Sequence, residues 1–311
     1  MTTTGYGLER ILVPLDGSAV AEQSIPYVAA LAADNAEITF IQIVLEPHPE
    51  RDLLGHVVVP AGEVGHRARV QSLDHLREVA NRWQSILPVE PRFEVTTGDP
   101  TKEIIAAAKR LSCELIAVAS HGRGGVRRLA VGSVADDLAR RSLVPVMLIR
   151  ARDDAGQGHA RLDRIVVPYD GSELASAAIP AAIDLAKQIG SGIFLIRVVS
   201  PTDYAPMPVA TESYFPSAAY EETIELVEQN AESELKTVAD VIENAGVDVK
   251  HAVVAGTPAE AIIDQTRHED LIVMTSHGRS GLKRLFMGSV AEHLVRHGHA
   301  PVVLVPAGER Q

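Results

Sequence analysis

Four ordered blocks of this sequence occur twice, and that recurrence restricts the fold more than any other feature. Arg10–Ser18 (RILVPLDGS) returns as Arg164–Ser172 (RIVVPYDGS). Ser120–Leu129 (SHGRGGVRRL) returns as Ser276–Leu285 (SHGRSGLKRL). Gly132–Ala135 (GSVA) returns as Gly288–Ala291, and Val144–Ile149 (VPVMLI) as Ala300–Val305 (APVVLV). The offset is about 155 residues throughout, a period of domain size rather than the 20–50 residues of a solenoid. The chain of 311 residues therefore reads as two tandem copies of one domain, 1–152 and 153–311. The seam, Ala151–Arg161, is rich in Gly, Asp and Ala and suits a short linker.

Each copy alternates apolar runs with helical patterns. The runs at 11–15, 38–45, 92–96, 115–119 and 144–150 read as strands, as do 165–169, 193–199, 248–254, 271–275 and 300–305. They lack polar alternation, which suits strands covered on both faces of a parallel sheet. The expected class is α/β, two tandem doubly wound sheets with helices on both sides. Helices are expected over 19–33 and 173–189, capped by Ser18 and Ser172. Asp99-Pro100 and Thr257-Pro258 open further helices, with Glu260 completing a capping box on Thr257. In the second copy Ile224, Val227, Ala231, Leu235, Val238 and Ile242 recur at helical spacing, and Gly246 stops that helix. The stretches 46–70 and 200–219 read as long irregular loops.

Ligands of open α/β sheets sit at the carboxyl ends of the strands, where strand order reverses. Two loops per copy suit that place. One follows the first strand at Asp16 or Asp170. The other follows the fourth strand: Ala119-Ser120-His121-Gly122, nine residues, then Gly132-Ser133. Its twin is Thr275-Ser276-His277-Gly278, nine residues, then Gly288-Ser289. Glycine lets a backbone approach a phosphate, and Gly-Ser at a helix start offers free N–H groups at the positive end of the dipole. Between them lie Arg123, Arg127 and Arg128, or Arg279, Lys283 and Arg284. The competing reading is structural: Ser133…Asp136 and Ser289…Glu292 also spell capping boxes. Neither loop is a Walker loop, and neither is the dinucleotide fingerprint that follows a first strand.

The order Val-Pro-x-Asp-Gly-Ser, Ser-His-Gly-Arg, nine residues after Gly, Gly-Ser-Val-Ala, in both halves, resembles the universal stress protein family, tandem members of its ATP-binding branch. The resemblance implies an adenine nucleotide α-hydrolase-like fold with five strands ordered 3-2-1-4-5. It also implies ATP with Mg²⁺ as ligand and a regulatory, stress-related role with an unidentified signalling partner. Carried over by position, Pro14 and Asp16, with Pro168 and Asp170, lie against adenosine. Ile43 and Val198 touch adenine. Gly122, Gly132, Ser133 and Val134 hold phosphates, as do Gly278, Gly288, Ser289 and Val290, with Arg123 and Arg279 beside them. The motif's first glycine is replaced by Ala119 and Thr275. The smaller intrusion is alanine, which ranks the first pocket ahead of the second.

Composition narrows the partners. The net charge is −12, so the chain lacks the basic footprint of a nucleic-acid or anionic-membrane binder. No apolar run reaches the ~18 residues of a membrane span. With no secretion signal and one cysteine, Cys113, a cytoplasmic location is expected. Cys113, at the start of an apolar strand, reads as buried and inert. His293, His297 and His299 read as a solvated helix end rather than a metal site, and His121 and His277 as loop histidines. Tyr204, Tyr214, Phe215 and Tyr220 read as loop aromatics partly packed on the surface. Two other functions stay open. One is a slow ATP hydrolase or nucleotide-dependent transferase using the same pocket. The other is a ligand-free assembly module, with an intrachain pseudo-dimer and a homodimer formed along the apolar last strands.

Overall fold

The computed structural model describes residues 8–121, 132–152, 158–200, 217–275 and 287–306. The chain divides into two compact units between Arg161 and Leu162. The first unit runs β1 (Arg10–Pro14), a 3-10 turn (Ala21–Ser24), α1 (Ile25–Leu31), β2 (Glu37–Val44), β3 (Glu50–Arg51) and β4 (Val57–Val59). It continues with α2 (Ala61–Trp83), β5 (Arg92–Thr97), α3 (Pro100–Arg110), β6 (Leu115–His121), α4 (Ser133–Arg141) and β7 (Val146–Ala151). The second runs β8 (Arg164–Pro168), α5 (Glu173–Ser176), α6 (Ile179–Ile189), β9 (Gly192–Val199) and α7 (Ser217–Asn244). It ends with β10 (Val249–Ala255), α8 (Pro258–Gln265), β11 (Asp270–Thr275), α9 (Ser289–His297) and β12 (Val302–Val305).

In the first unit the main strands are ordered β5-β2-β1-β6-β7, and in the second β10-β9-β8-β11-β12. Every one of these pairings within a unit is parallel. Each unit therefore has the expected 3-2-1-4-5 order, and its chain reverses direction across the sheet between the first strand and the fourth. Consecutive residues Ile38, Thr39, Phe40 and Ile41 of β2 are all buried. Successive side chains of a strand point to opposite faces, so both faces of the sheet are covered. The amino ends of first and fourth strands are tied by ion pairs, Arg10–Glu114 at 2.9 Å and Arg164–Asp270 at 2.6 Å. Arg164 also stacks 4.6 Å from the centre of the Phe194 ring. These anchors lie at the end of the sheet opposite the candidate site.

Three local expectations are corrected. The helices expected over 19–33 and 173–189 are each broken. The first begins as a 3-10 turn and becomes α-helical only at Ile25, ending at Leu31. The second is split between Ser176 and Ile179. Pro26 and Pro180 are the cause: each lacks an N–H and would collide with the carbonyl four residues back in a continuous helix. The irregular stretch expected over 46–70 instead holds the β3–β4 hairpin and, from Ala61, the start of α2. Within 200–219, α7 is already formed from Ser217. Finally, Asp99 accepts the Lys102 N–H at 2.9 Å as expected, but Thr257 makes no side-chain cap bond, so the Thr257–Glu260 capping box is not formed.

Candidate functional site

The carboxyl end of β1 is shaped by one short turn. Asp16 Oδ1 accepts from the Ser18 N–H at 2.9 Å and from the Ser18 hydroxyl at 2.6 Å, and Ser18 Oγ accepts the Ala21 N–H. Asp170, Ser172 and Ala175 repeat the arrangement after β8, at 3.0, 2.5 and 3.0 Å. Between them Gly17 and Gly171 take φ of +85° and +80°, a region that side chains avoid. The serine thus caps the following turn while the aspartate is held by the serine. Asp16 is exposed, and its Oδ2 has no protein partner among the described residues. One carboxylate oxygen at the crevice mouth is free to accept from a ligand hydroxyl.

β6 lies beside β1, with Leu12 level with Ile116. Its end, Ala119-Ser120-His121, comes out next to the Asp16 turn. From there α4 begins with Gly132 as the residue ahead of its first turn and Ser133 as its first helical residue. The second unit repeats this with Gly288 and Ser289. Neither serine acts as a cap, and neither helix start has a side-chain cap bond. The expected capping boxes are therefore not what these residues form. Asp136 is turned instead to Arg140 at 2.6 Å, and Glu292 to Arg296 at 2.5 Å. Among the described residues, the first-turn amides of both helices have no side-chain acceptor, and Ser133 and Ser289 are exposed. Gly132 has an ordinary φ of −57°, and a Cβ there would meet nothing nearer than the Ser120 Cβ at 3.8 Å. Among the described residues, neither backbone strain nor packing calls for glycine at this position.

Pro14, Asp16, Ile43, Ala119, Gly132, Ser133 and Val134 thus belong to the strand ends and helix start bordering one crevice. Pro168, Asp170, Val198, Thr275, Gly288, Ser289 and Val290 hold the corresponding places in the second unit. Ile43 and Val198 are partly exposed near the ends of their strands. Ala119 is partly exposed, whereas Thr275 is only 4% exposed. Gly122, Arg123, Gly278 and Arg279 lie outside the described residues, as do Arg127, Arg128, His277, Lys283 and Arg284. The same holds for Tyr204, Tyr214 and Phe215. Cys113 is buried, and burial pushes its thiol up to about 11. His293 and His297 stack at 4.4 Å, and His268 and His299 meet edge-on at 4.8 Å. Among the described residues no three His, Cys, Asp or Glu are placed to hold a metal ion. None of the described helices is long and apolar enough to cross a membrane.

One difference between the units escapes the motifs. Leu15 and Tyr169 each donate their N–H to the same strand-two position, Ile41 and Ile196. The next residues are Gln42 and Arg197. Arg197 is largely buried, 11% exposed, and pairs with Glu234 of α7 at 3.3 Å. A Cβ on Gly171 would come within 2.6 Å of Arg197 Nη1 and of Glu234 Oε2. In the first unit Gln42 takes the place of Arg197. His75 of α2 stands immediately before the buried Leu76, as Glu234 of α7 stands before Leu235. Gln42 Oε1 and His75 Nε2 are both buried without a protein hydrogen-bond partner. The second unit thus has an ion pair under its Asp-Gly turn, with Arg197 Nη1 itself buried without a hydrogen-bond partner, where the first has Gln42 beneath Gly17. No sequence motif signals this, because Arg197 and Glu234 are more than thirty positions apart.

Comparison with known proteins follows the duplication. The family profile described as "Universal stress protein family" matches residues 7–150 and, a second time, 161–306. The universal stress protein MJ0531 of Methanocaldococcus jannaschii is 31% identical over 150 residues, 48% of this chain and 84% of that protein. Universal stress protein Rv2623 of Mycobacterium tuberculosis is 26% identical over 313 residues, 97% of this chain and 98% of its own length. Among solved structures, a universal stress protein from Archaeoglobus fulgidus superposes with a TM-score of 0.68 at 21% identity. That likeness covers 97% of this chain and 99% of the other, and it bears on the fold.

Proposed function

This chain belongs to the universal stress protein family, and from that premise we propose that each unit holds an adenine nucleotide in its crevice as a regulatory ligand. The observation that carries the reading is the twice-repeated Gly-Ser helix start. Among the described residues, the hydroxyls at Gly132-Ser133 and Gly288-Ser289 are not used as caps, the serines are exposed, and the first-turn amides have no side-chain acceptor. Such a terminus attracts anionic oxygens through unpaired N–H groups and the helix dipole. In a chain of net charge −12 the positive potential for a polyphosphate must come from local sources of this kind.

The ligand we infer is ATP, carried with Mg²⁺. Ser133 and Val134, with Gly132, would hold phosphate oxygens, and Gly122 and Arg123 would close over them. The free oxygen of Asp16 would accept from the ribose, and Pro14 and Ile43 would flank the base. In the second unit Ser289, Val290, Gly288, Gly278 and Arg279 would hold phosphates, with Asp170, Pro168 and Val198 against the nucleoside. These groups position and neutralise; none is a nucleophile paired with a base. The role is therefore to change shape or partner with nucleotide state in a stress response in the cytoplasm. Rapid turnover is not part of it.

The test is mass spectrometry of nucleotide extracted from the natively purified chain, repeated on Gly132→Asp, Gly288→Asp and the double variant. Each substitution puts a negative side chain at the phosphate position. Each single variant should carry about half the adenine nucleotide of the parent, and the double variant none. Nucleotide retained in the double variant refutes the site. ATP turnover faster than about one per minute would replace the holding role with an enzymatic one.

A further inference from the structure

β5 and β10 end in the same turn, yet different side chains lie over the two turns. The Gly98 N–H donates to the Val44 carbonyl and the Gly256 N–H to the Val199 carbonyl, each at 3.0 Å. The two glycines hold φ of +144° and +149°. Each turn feeds a helix opened by proline, α3 at Pro100 and α8 at Pro258. The fourth residue of α3 is Glu103, and the fourth of α8 is Ala261. These two fill the same space. A Cβ on Gly98 would meet Glu103 Oε1 at 3.1 Å, and a Cβ on Gly256 would meet the Ala261 Cβ at 3.5 Å. The first unit therefore has a carboxyl group at this point and the second a methyl.

That point borders the position at which Ile43 would flank the base. Thr96 of β5 is the lateral partner of Ile43 of β2, as Val254 of β10 is of Val198 of β9. Neighbouring strands pleat in register, so side chains at paired positions share a face of the sheet. The Thr96 hydroxyl donates to Glu103 Oε2 at 3.2 Å, which draws the carboxyl onto the face that carries Ile43. Glu103 Oε1 has no hydrogen-bond partner among the described residues, and the residue is partly exposed. In the second unit Val254 and Ala261 offer neither a hydroxyl nor a carboxyl, and Ala261 is buried.

We propose that Glu103 reads the base in the first crevice, its free oxygen accepting from an exocyclic amino group, and that the second crevice lacks this reader. The inference rests on the nucleotide-holding role proposed for the crevices. With Oε2 taken by Thr96, one acceptor oxygen remains, which suits the one exocyclic amino group of adenine. Hypoxanthine has a carbonyl oxygen in place of that amino group. Two acceptors would then face each other, and the carboxyl would be left without a donor. A site built to bond a ligand N–H rejects the analogue that lacks it, because the polar group of the site is left unpaired. An acid in the first turn of a helix also complements the helix dipole, a role that is indifferent to the base.

The full chain carrying Gly288→Asp, which leaves the first crevice, is to be titrated calorimetrically with ATP and with inosine triphosphate. ATP should bind at least about tenfold more tightly. Adding Glu103→Gln should abolish or invert that preference. An amide whose oxygen accepts from Thr96 turns its NH₂ to the base, and a donor there suits the 6-oxo group. The chain carrying Gly132→Asp reports on the second crevice without touching Glu103, and it should discriminate several-fold less between the two nucleotides. A Glu103 that serves only the helix would change stability on Glu103→Gln and leave the ratio of the two affinities as it was. An unchanged ratio overturns the assignment and leaves the nucleotide-holding role standing. So does equal binding of the two nucleotides in the first crevice, or equal discrimination by the two crevices. Binding of neither nucleotide to the unsubstituted chain overturns both.

Discussion

Gly17 and Gly171 occupy the same turn in their units with nearly the same φ, yet they answer to different neighbours. A Cβ on Gly17 would find only Gln42 Nε2 at 3.8 Å, ordinary contact. A Cβ on Gly171 would displace both ends of the Arg197–Glu234 pair. Gly17→Ala should therefore cost about 1 kcal/mol, the penalty of a left-handed residue with a side chain. Gly171→Ala should cost about 2 kcal/mol, because a half-exposed ion pair worth up to ~1 kcal/mol is lost as well. Urea unfolding of the two variants checks this, and equal costs would show that the ion pair contributes nothing. Arg197, His75, Gln42 and Glu234 were invisible to motif reading. Arg197 and Glu234 are ordinary residues of a strand and a helix until the fold brings them together.

At the scale of elements, the break before Pro26 lets the first unit do something a straight helix would not. The 3-10 turn points Glu22 inward, where its side chain is only 6% exposed. There it accepts from Arg82 at 2.7 and 2.8 Å and from Trp83 Nε1 at 2.8 Å, both at the end of α2. The carboxylate clips the segment after β1 to the helix that packs on β2 and β5. Glu22→Ala should cost about 3 kcal/mol, since it leaves a tryptophan N–H and a guanidinium without their acceptor. Glu22→Gln keeps one acceptor for Trp83 and should cost less than half as much. Chemical denaturation followed by Trp83 fluorescence, the chain's single tryptophan, reads both directly. The next residue, Gln23, exchanges two bonds of 2.8 Å with the backbone of Arg152, tying the same segment to the residue after β7. The proline is visible in the sequence, and the strand order was implied by the family resemblance. The clip was not, because nothing local marks Glu22 as different from any surface glutamate.

For the whole molecule, the expectation is two nucleotide sites with unequal surroundings. The first has Ala119 at the crevice and neutral Gln42 beneath the turn; the second has Thr275 and the Arg197–Glu234 strut. Binding to the native state alone should stabilise the chain by about 2.7 kcal/mol per site at a hundredfold excess of ATP over Kd. Isothermal titration should resolve two sites, the first filling ahead of the second, and Gly132→Asp should remove the tighter one. A single class of two identical sites would mean that the differing residues do not reach the ligand.

The sequence by itself determined that this chain is a duplication, that each copy is a parallel α/β sheet, and where helices start after Asp99 and Ser172. Those conclusions rest on repeats, on runs of apolar residues and on caps made within three or four positions, all of which are local. The tertiary structure decided what the serines at 133 and 289 do not do, that the Arg197–Glu234 pair lies under the Gly171 turn, and that the stretch after β2 holds a hairpin. Each of these depends on which distant segments become neighbours, and a side chain's partner is set by that proximity rather than by its own place in the chain.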